Sequence, residues 1–240
     1  MVNRIATGIN GFDELIEGGL PQGSLTLVSG NPGTGKSIFC MQAAYNVAAK
    51  GKLALYVSFE QTEKILEEQL TQFGLDIKKL NGKLKLLFLD PNDPDVMSTI
   101  QKEAKKINSE FIVVDSLASL TSGPSNQSAN FTAQQIMDSV IPVPIDSENL
   151  ARMKVKLILD TIRNTKATAM LTSEIIHGQD GYSRDTLSEF LCDAIIVLHS
   201  VEGEEGFRTL TIPKIRLTKQ KSGIYSFEMT KKGIIVKSSE

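Results

Sequence analysis

Short apolar runs recur along the chain, and each ends in a polar or glycine-rich turn. They are Leu25-Thr26-Leu27-Val28, Leu53 to Phe59, Leu84 to Leu89, Phe111 to Val114, Ala167 to Thr172 and Ala194 to Leu198. Runs of this length without alternation fit strands buried on both faces. Between them apolar residues fall at helical spacing: Ile38, Phe39, Met41, Ala44, Val47 and Ala48, then Ile65, Leu66, Leu70 and Phe73. Further helices are expected over 95–108 and 147–164, the latter with a stripe of Leu150, Met153, Leu157, Ile158 and Ile162. Strand and helix in strict succession predict parallel βαβ units.

Three regions depart from this rhythm. Residues 1–23 are rich in turn signals, with Phe12, Leu15 and Ile16 spaced for one short helix. Residues 116–145 predict a loop at Ser122 to Ser128 and a helix over Thr132 to Val140, ended by Pro142-Val143-Pro144. Beyond Leu198 the pattern becomes alternation near 206–217, 224–229 and 233–237, which predicts antiparallel strands extending the parallel sheet. The alternation changes phase around Pro213, as a bulge would make it. With no repeat or linker, a single α/β domain over 1–240 is expected.

Composition narrows this little. Of 240 residues 41% are apolar, enough for one sizeable core. Lys and Arg number 26 against 28 Asp and Glu, so the net charge of −2 gives no global field to attract nucleic acid. Cys40 and Cys192 stand far apart in apolar surroundings and read as buried hydrophobes in a reducing compartment. No apolar run approaches the length of a membrane span, and a cytoplasmic protein without membrane insertion is expected.

The chemistry begins at Gly30-Asn31-Pro32-Gly33-Thr34-Gly35-Lys36-Ser37, a complete G-x-x-x-x-G-K-[ST] loop between a predicted strand and a predicted helix. Its glycines let backbone N–H groups face a polyphosphate, and the helix N-terminus adds positive potential. Asn31 to Ser37 therefore read as the ATP or ADP site, with Lys36 on the β and γ phosphates and the Ser37 hydroxyl on Mg2+. Asp115 closes a buried strand and can meet the same Mg2+; the bland alternative is a turn-capping aspartate. Glu60 ends the strand after the loop helix and can orient an attacking water, or simply complement a helix dipole. Ser173, with Glu174, ends the fifth strand and reads equally as a γ-phosphate sensor or a polar strand end. Lys214 and Arg216 share a strand face, where cations are commonly a guard against edge pairing.

Taken in order, these residues resemble the KaiC-like branch of the RecA-type ATPases. The likeness runs through Thr7-Gly8-Ile9-Asn10-Gly11-Phe12-Asp13, Gly18 to Gly23, the phosphate loop, Tyr56-Val57-Ser58-Phe59-Glu60, Val113-Val114-Asp115-Ser116 and Thr172-Ser173-Glu174. It continues in Glu189-Phe190, Asp193 to Leu198, Arg208-Thr209-Leu210 and Lys214-Ile215-Arg216. The resemblance implies a RecA-like P-loop NTPase, ATP with Mg2+, and a homo-oligomer, usually a hexamer, with nucleotide between subunits. It also implies that Lys214 and Arg216 reach a neighbour's γ phosphate. Two positions depart from the family: Gln61 replaces a second carboxylate, which implies slow hydrolysis, and Gln220 replaces a histidine of the clock proteins.

The expected function is a nucleotide-dependent regulatory ATPase oligomer whose protein partner is unknown. One alternative is a RecA- or RadB-type recombination protein binding DNA through residues 121–130 and 177–188, which hold only Arg184 as a cation. The other, motivated by Gln61, is a nucleotide-gated scaffold with negligible turnover.

Overall fold

The computed structural model describes residues 2–121, 147–176, 181–200 and 208–237. A short antiparallel pair, β1 (Arg4–Ile5) and β2 (Leu20–Pro21), flanks a 3-10 turn over Asp13–Ile16. Then come β3 (Leu25–Gly30), α1 (Lys36–Ala49), β4 (Ala54–Ser58), α2 (Glu63–Gln72), β5 (Leu84–Phe88), α3 (Val96–Lys106), β6 (Phe111–Asp115) and α4 (Leu117–Thr121). The described chain ends with α5 (Ser147–Arg163), β7 (Thr168–Glu174), α6 (Ser188–Leu191), β8 (Ala194–Ser200), β9 (Arg208–Ile215), β10 (Ile224–Thr230) and β11 (Gly233–Val236). The expected loop at 122–128 and helix over 132–140 lie outside the described residues.

Nine strands form one sheet in the order β11-β10-β9-β8-β3-β7-β6-β4-β5. From β8 to β5 every pairing is parallel, and from β8 to β11 every pairing is antiparallel. The apolar runs lack alternation because both faces are covered. Leu25, Leu27, Leu55, Val57, Ile112 and Val114 pack with α3 and α5, while Val28, Tyr56 and Val113 pack with α1 and α2. The predicted bulge is present: Ile195 pairs with Lys214 but Val197 with Thr211, so Ile212 and Pro213 together oppose Ile196.

The glycine-rich start closes the sheet edge. Asn10 bridges to Ile235 and its carbonyl accepts from Val236 N at 2.9 Å. A Cβ on Gly11 would lie 1.9 Å from the Val236 carbonyl oxygen, so only glycine permits this approach. Asp13 accepts from the backbone N–H groups of Thr7 and Gly8 and from the Thr7 hydroxyl, although burial pushes its carboxyl up. β9 lies between β8 and β10, but β10 pairs only with Arg208 to Thr211, so the stretch holding Lys214 pairs with β8 alone and is a local edge of the sheet.

Candidate functional site

The loop 30–37 leaves the carboxyl end of β3, which pairs with β7 on one side and β8 on the other. Ligands of open parallel sheets bind at such a crevice. Gly30, Gly33 and Gly35 have φ of +148°, +80° and +101°, conformations that residues with a Cβ rarely adopt. At Gly30 the reason is also space, since a Cβ would lie 2.2 Å from the Leu198 carbonyl oxygen. At Gly33 a Cβ would meet nothing within 4 Å, so the tip of the loop is open to a ligand. Gly35 offers the first turn of α1 no side-chain cap, and that turn carries no acidic residue. Its N–H dipoles thus face an anion without competition.

Lys36 Nζ donates to the carbonyls of Gly30 and Asn31, each at 3.0 Å. Burial lowers its pKa from 10.5, opposed by Glu174, Asp115 and Glu60. Those three acids lie at or just beyond the ends of three strands, β7, β6 and β4. Asp115 is buried at the end of β6, where its Oδ2 accepts from Tyr56 Oη and its Oδ1 from Thr172 Oγ1, both at 2.6 Å. The Asp115–Ser116 peptide bond is cis. Burial, followed by the charge of Asp115, holds the Tyr56 phenol well above its ordinary pKa, so it remains a donor. Glu60 Oε1 accepts from the hydroxyls of Ser116 and Ser119, the latter at 2.8 Å.

Ser173 pairs with Ser29 at the base of the loop, and its Oγ accepts from Arg184 N at 3.3 Å. It is wholly buried, while Glu174 beside it is paired with Arg184 at 3.0 Å. The donor set suits a hard cation poorly by itself: among the described residues no group of three or more His, Cys, Asp or Glu is placed to hold a metal. One hydroxyl, Ser37, and one carboxylate, Asp115, fit Mg2+ only where phosphate oxygens and waters complete the shell. The residues thus fit Mg2+ carried by a nucleotide.

Two of the expected residues stand elsewhere. β9 runs antiparallel to β8, so Lys214 and Arg216 lie at the amino end of the parallel strands, whereas Gly30 pairs with Leu198 at the carboxyl end. From Ala194, which pairs with Ile215, to Leu198 is four residues, roughly 13 Å at about 3.3 Å each. Lys214 Nζ donates to the carbonyls of Glu189, Phe190 and Cys192 at 3.0, 3.2 and 2.6 Å and so caps α6. Desolvation, then the charge of Arg216, lowers its pKa. Arg216 pairs with Asp193 at 3.1 Å and is 58% exposed.

Sequence reasoning placed Tyr56, Thr172 and Asp193 in the stretches that carry the family resemblance but gave them no role, and it did not name Ser119. Only Tyr56 left a signal, as the one hydroxyl-bearing aromatic in an otherwise aliphatic stretch, Leu53 to Val57. Cys40 and Cys192 are buried free thiols, as expected.

Comparison with known proteins agrees with this fold. A family model described as the KaiC ATPase matches residues 5–240. UPF0273 protein MJ1359 of Methanocaldococcus jannaschii is 33% identical over 242 residues, covering 98% of this chain and 96% of that protein. The circadian clock oscillator protein KaiC of Synechococcus elongatus is 32% identical over 238 residues, and the match covers 97% of this chain but 44% of that protein. The chain therefore spans less than half of the clock protein. The crystal structure of KaiC-like protein PH0186 from Pyrococcus horikoshii superposes with a TM-score of 0.82 at 28% identity, covering 99% of this chain and 100% of that one.

Proposed function

The chain belongs to the KaiC ATPase family and is a P-loop ATP-binding protein, and from that premise we propose a slow ATPase whose sites are shared between copies in a ring, with nucleotide state governing a protein partner. The observation that carries this is the separation of Arg216 from the chain's own loop. A cation at the amino end of the sheet cannot serve a phosphate at the carboxyl end, but it can serve the next copy's. Phe190 and Leu217, 66% and 72% exposed, flank Lys214 and Arg216 with the apolar surface that a subunit contact would bury.

In this reading Gly30 to Ser37 wrap the phosphates and Lys36 neutralises their charge. Ser37 and Asp115 would hold Mg2+, which would supply neutralisation of the phosphate charge. Glu60 accepts a proton of the attacking water and orients it. Arg216, and Lys214 behind it, meet the charge that develops on the departing phosphoryl group of the neighbouring copy. Gln61 in place of a second carboxylate supports slow turnover.

The test is complementation. Lys36→Ala and Arg216→Ala proteins, each inactive alone, should regain ATPase activity on mixing, because hybrid contacts pair an intact loop with an intact arginine. If the mixture stays inactive while both variants assemble, the shared site is wrong.

Gln61 also favours a second reading, a nucleotide-gated scaffold with negligible turnover. Steady-state phosphate release before and after Gln61→Glu separates the two. DNA binding has less support, since Arg184, the one cation of the second polar loop, is paired with Glu174. Six-fold assembly and a cytoplasmic setting belong to the same proposal.

A further inference from the structure

Within the candidate site one buried hydroxyl makes its hydrogen bond to a carboxylate and not to the phosphate loop. Tyr56 is fully buried on β4, its neighbours across the sheet being Val113 of β6 and Leu86 of β5. Phenylalanine would fill that apolar space equally well, and a buried hydroxyl is costly unless it finds a partner. Its partner is Asp115 Oδ2, at 2.6 Å. From the other side, Thr172 of β7 donates to Asp115 Oδ1, also at 2.6 Å. The three strands are adjacent in the order β7-β6-β4, so the carboxylate is gripped from both flanking strands.

A carboxylate at a strand end turns freely about its last torsion, and two donors on opposite sides remove that freedom. We propose that Tyr56 and Thr172 are positioning residues that fix the plane of Asp115 toward a divalent cation beside Ser37, and thereby set metal affinity without touching metal or phosphate. The proposal rests on the reading of Asp115 as the metal carboxylate. Groups that orient a ligating side chain commonly contribute about 10- to 100-fold in metal affinity.

The experiment uses Mn2+ as the probe, titrated into the full-length protein with ADP and followed by the electron paramagnetic resonance of the free ion. Tyr56→Phe and Thr172→Val should each bind Mn2+ about 10-fold more weakly. ADP affinity in the presence of a chelator should not change, and Thr172→Ser should restore tight Mn2+ binding. Wild-type Mn2+ affinity in Tyr56→Phe and Thr172→Val, with Asp115→Asn weakened, would overturn the positioning role alone. Wild-type affinity in Asp115→Asn as well would overturn the reading of the carboxylate itself. Should Tyr56→Phe fail to fold, the Thr172→Val and Thr172→Ser pair decides the matter.

Discussion

Arg216 Nη1 donates to Asp193 Oδ1 at 3.1 Å, and the backbone N–H of Arg216 donates to the carbonyl of the same aspartate at 2.9 Å. Asp193 Oδ2 accepts from Leu25 N at 3.0 Å and lies 3.4 Å from Arg163 Nη2. The arginine proposed to serve a neighbour is therefore held by its own chain through Asp193, the one hydrogen-bond partner of its guanidinium among the described residues. An arginine held in advance loses less freedom when it meets a phosphate.

Asp193→Asn is accordingly expected to behave as a defect of the arginine-donating side. ATPase activity of this variant should fall, recover on mixing with Lys36→Ala protein, and remain low on mixing with Arg216→Ala protein. Phosphate release from the variant alone and from the two mixtures checks it. Recovery with both partners, or with neither, speaks against this role.

Lys214 and Arg216 should separate in a thermal melt. Lys214 satisfies three carbonyls at and beyond the end of α6, so Lys214→Ala should destabilise the protein by about 1–3 kcal/mol. Arg216 makes one exposed ion pair, and Arg216→Ala should cost under about 1 kcal/mol. Equal losses in calorimetry would contradict the capping geometry.

The loop glycines differ in what alanine would meet. Gly30→Ala combines positive φ with a Cβ 2.2 Å from a carbonyl oxygen of β8, a backbone atom that cannot step aside. A loss of about 3 kcal/mol or more is expected. Gly33→Ala has the backbone strain alone, about 1 kcal/mol, so its denaturant midpoint should lie well above that of Gly30→Ala.

Alkaline pH should weaken phosphate binding earlier than an ordinary lysine would allow. The folded pKa of Lys36 lies below 10.5 because of burial. Between the folded and unfolded values the unfolded chain binds more protons, so this group makes stability rise with pH through that window. Phosphate affinity runs the other way, since the amine loses its charge there. Calorimetric titration with ATP just below pH 10.5 should show affinity falling as pH rises. Lys36→Arg should flatten that fall, because guanidinium stays charged.

Much of the fold was legible from period alone. Each predicted strand of the parallel sheet is present within one or two residues, and the phase change at Pro213 became the bulge opposite Ile196. Those features are local, because burial on both faces writes an unbroken apolar run and a bulge writes a shifted alternation. The small pair of Arg4–Ile5 with Leu20–Pro21 escaped notice, being two residues long with no period to display.

The phosphate loop needed no tertiary structure, since its glycines, lysine and serine lie within eight consecutive residues whose spacing is itself the chemistry. Asp115 and Glu60 were nearly as plain, because a strand's end fixes where its last carboxylate emerges. The grip of Tyr56 and Thr172 on Asp115 joins three strands, and no spacing along the chain records it. The direction of β9 decided the rest. Sequence named Lys214 and Arg216, but only the antiparallel pairing of β9 with β8 put them at the far end of the sheet from Gly30, out of reach of their own loop.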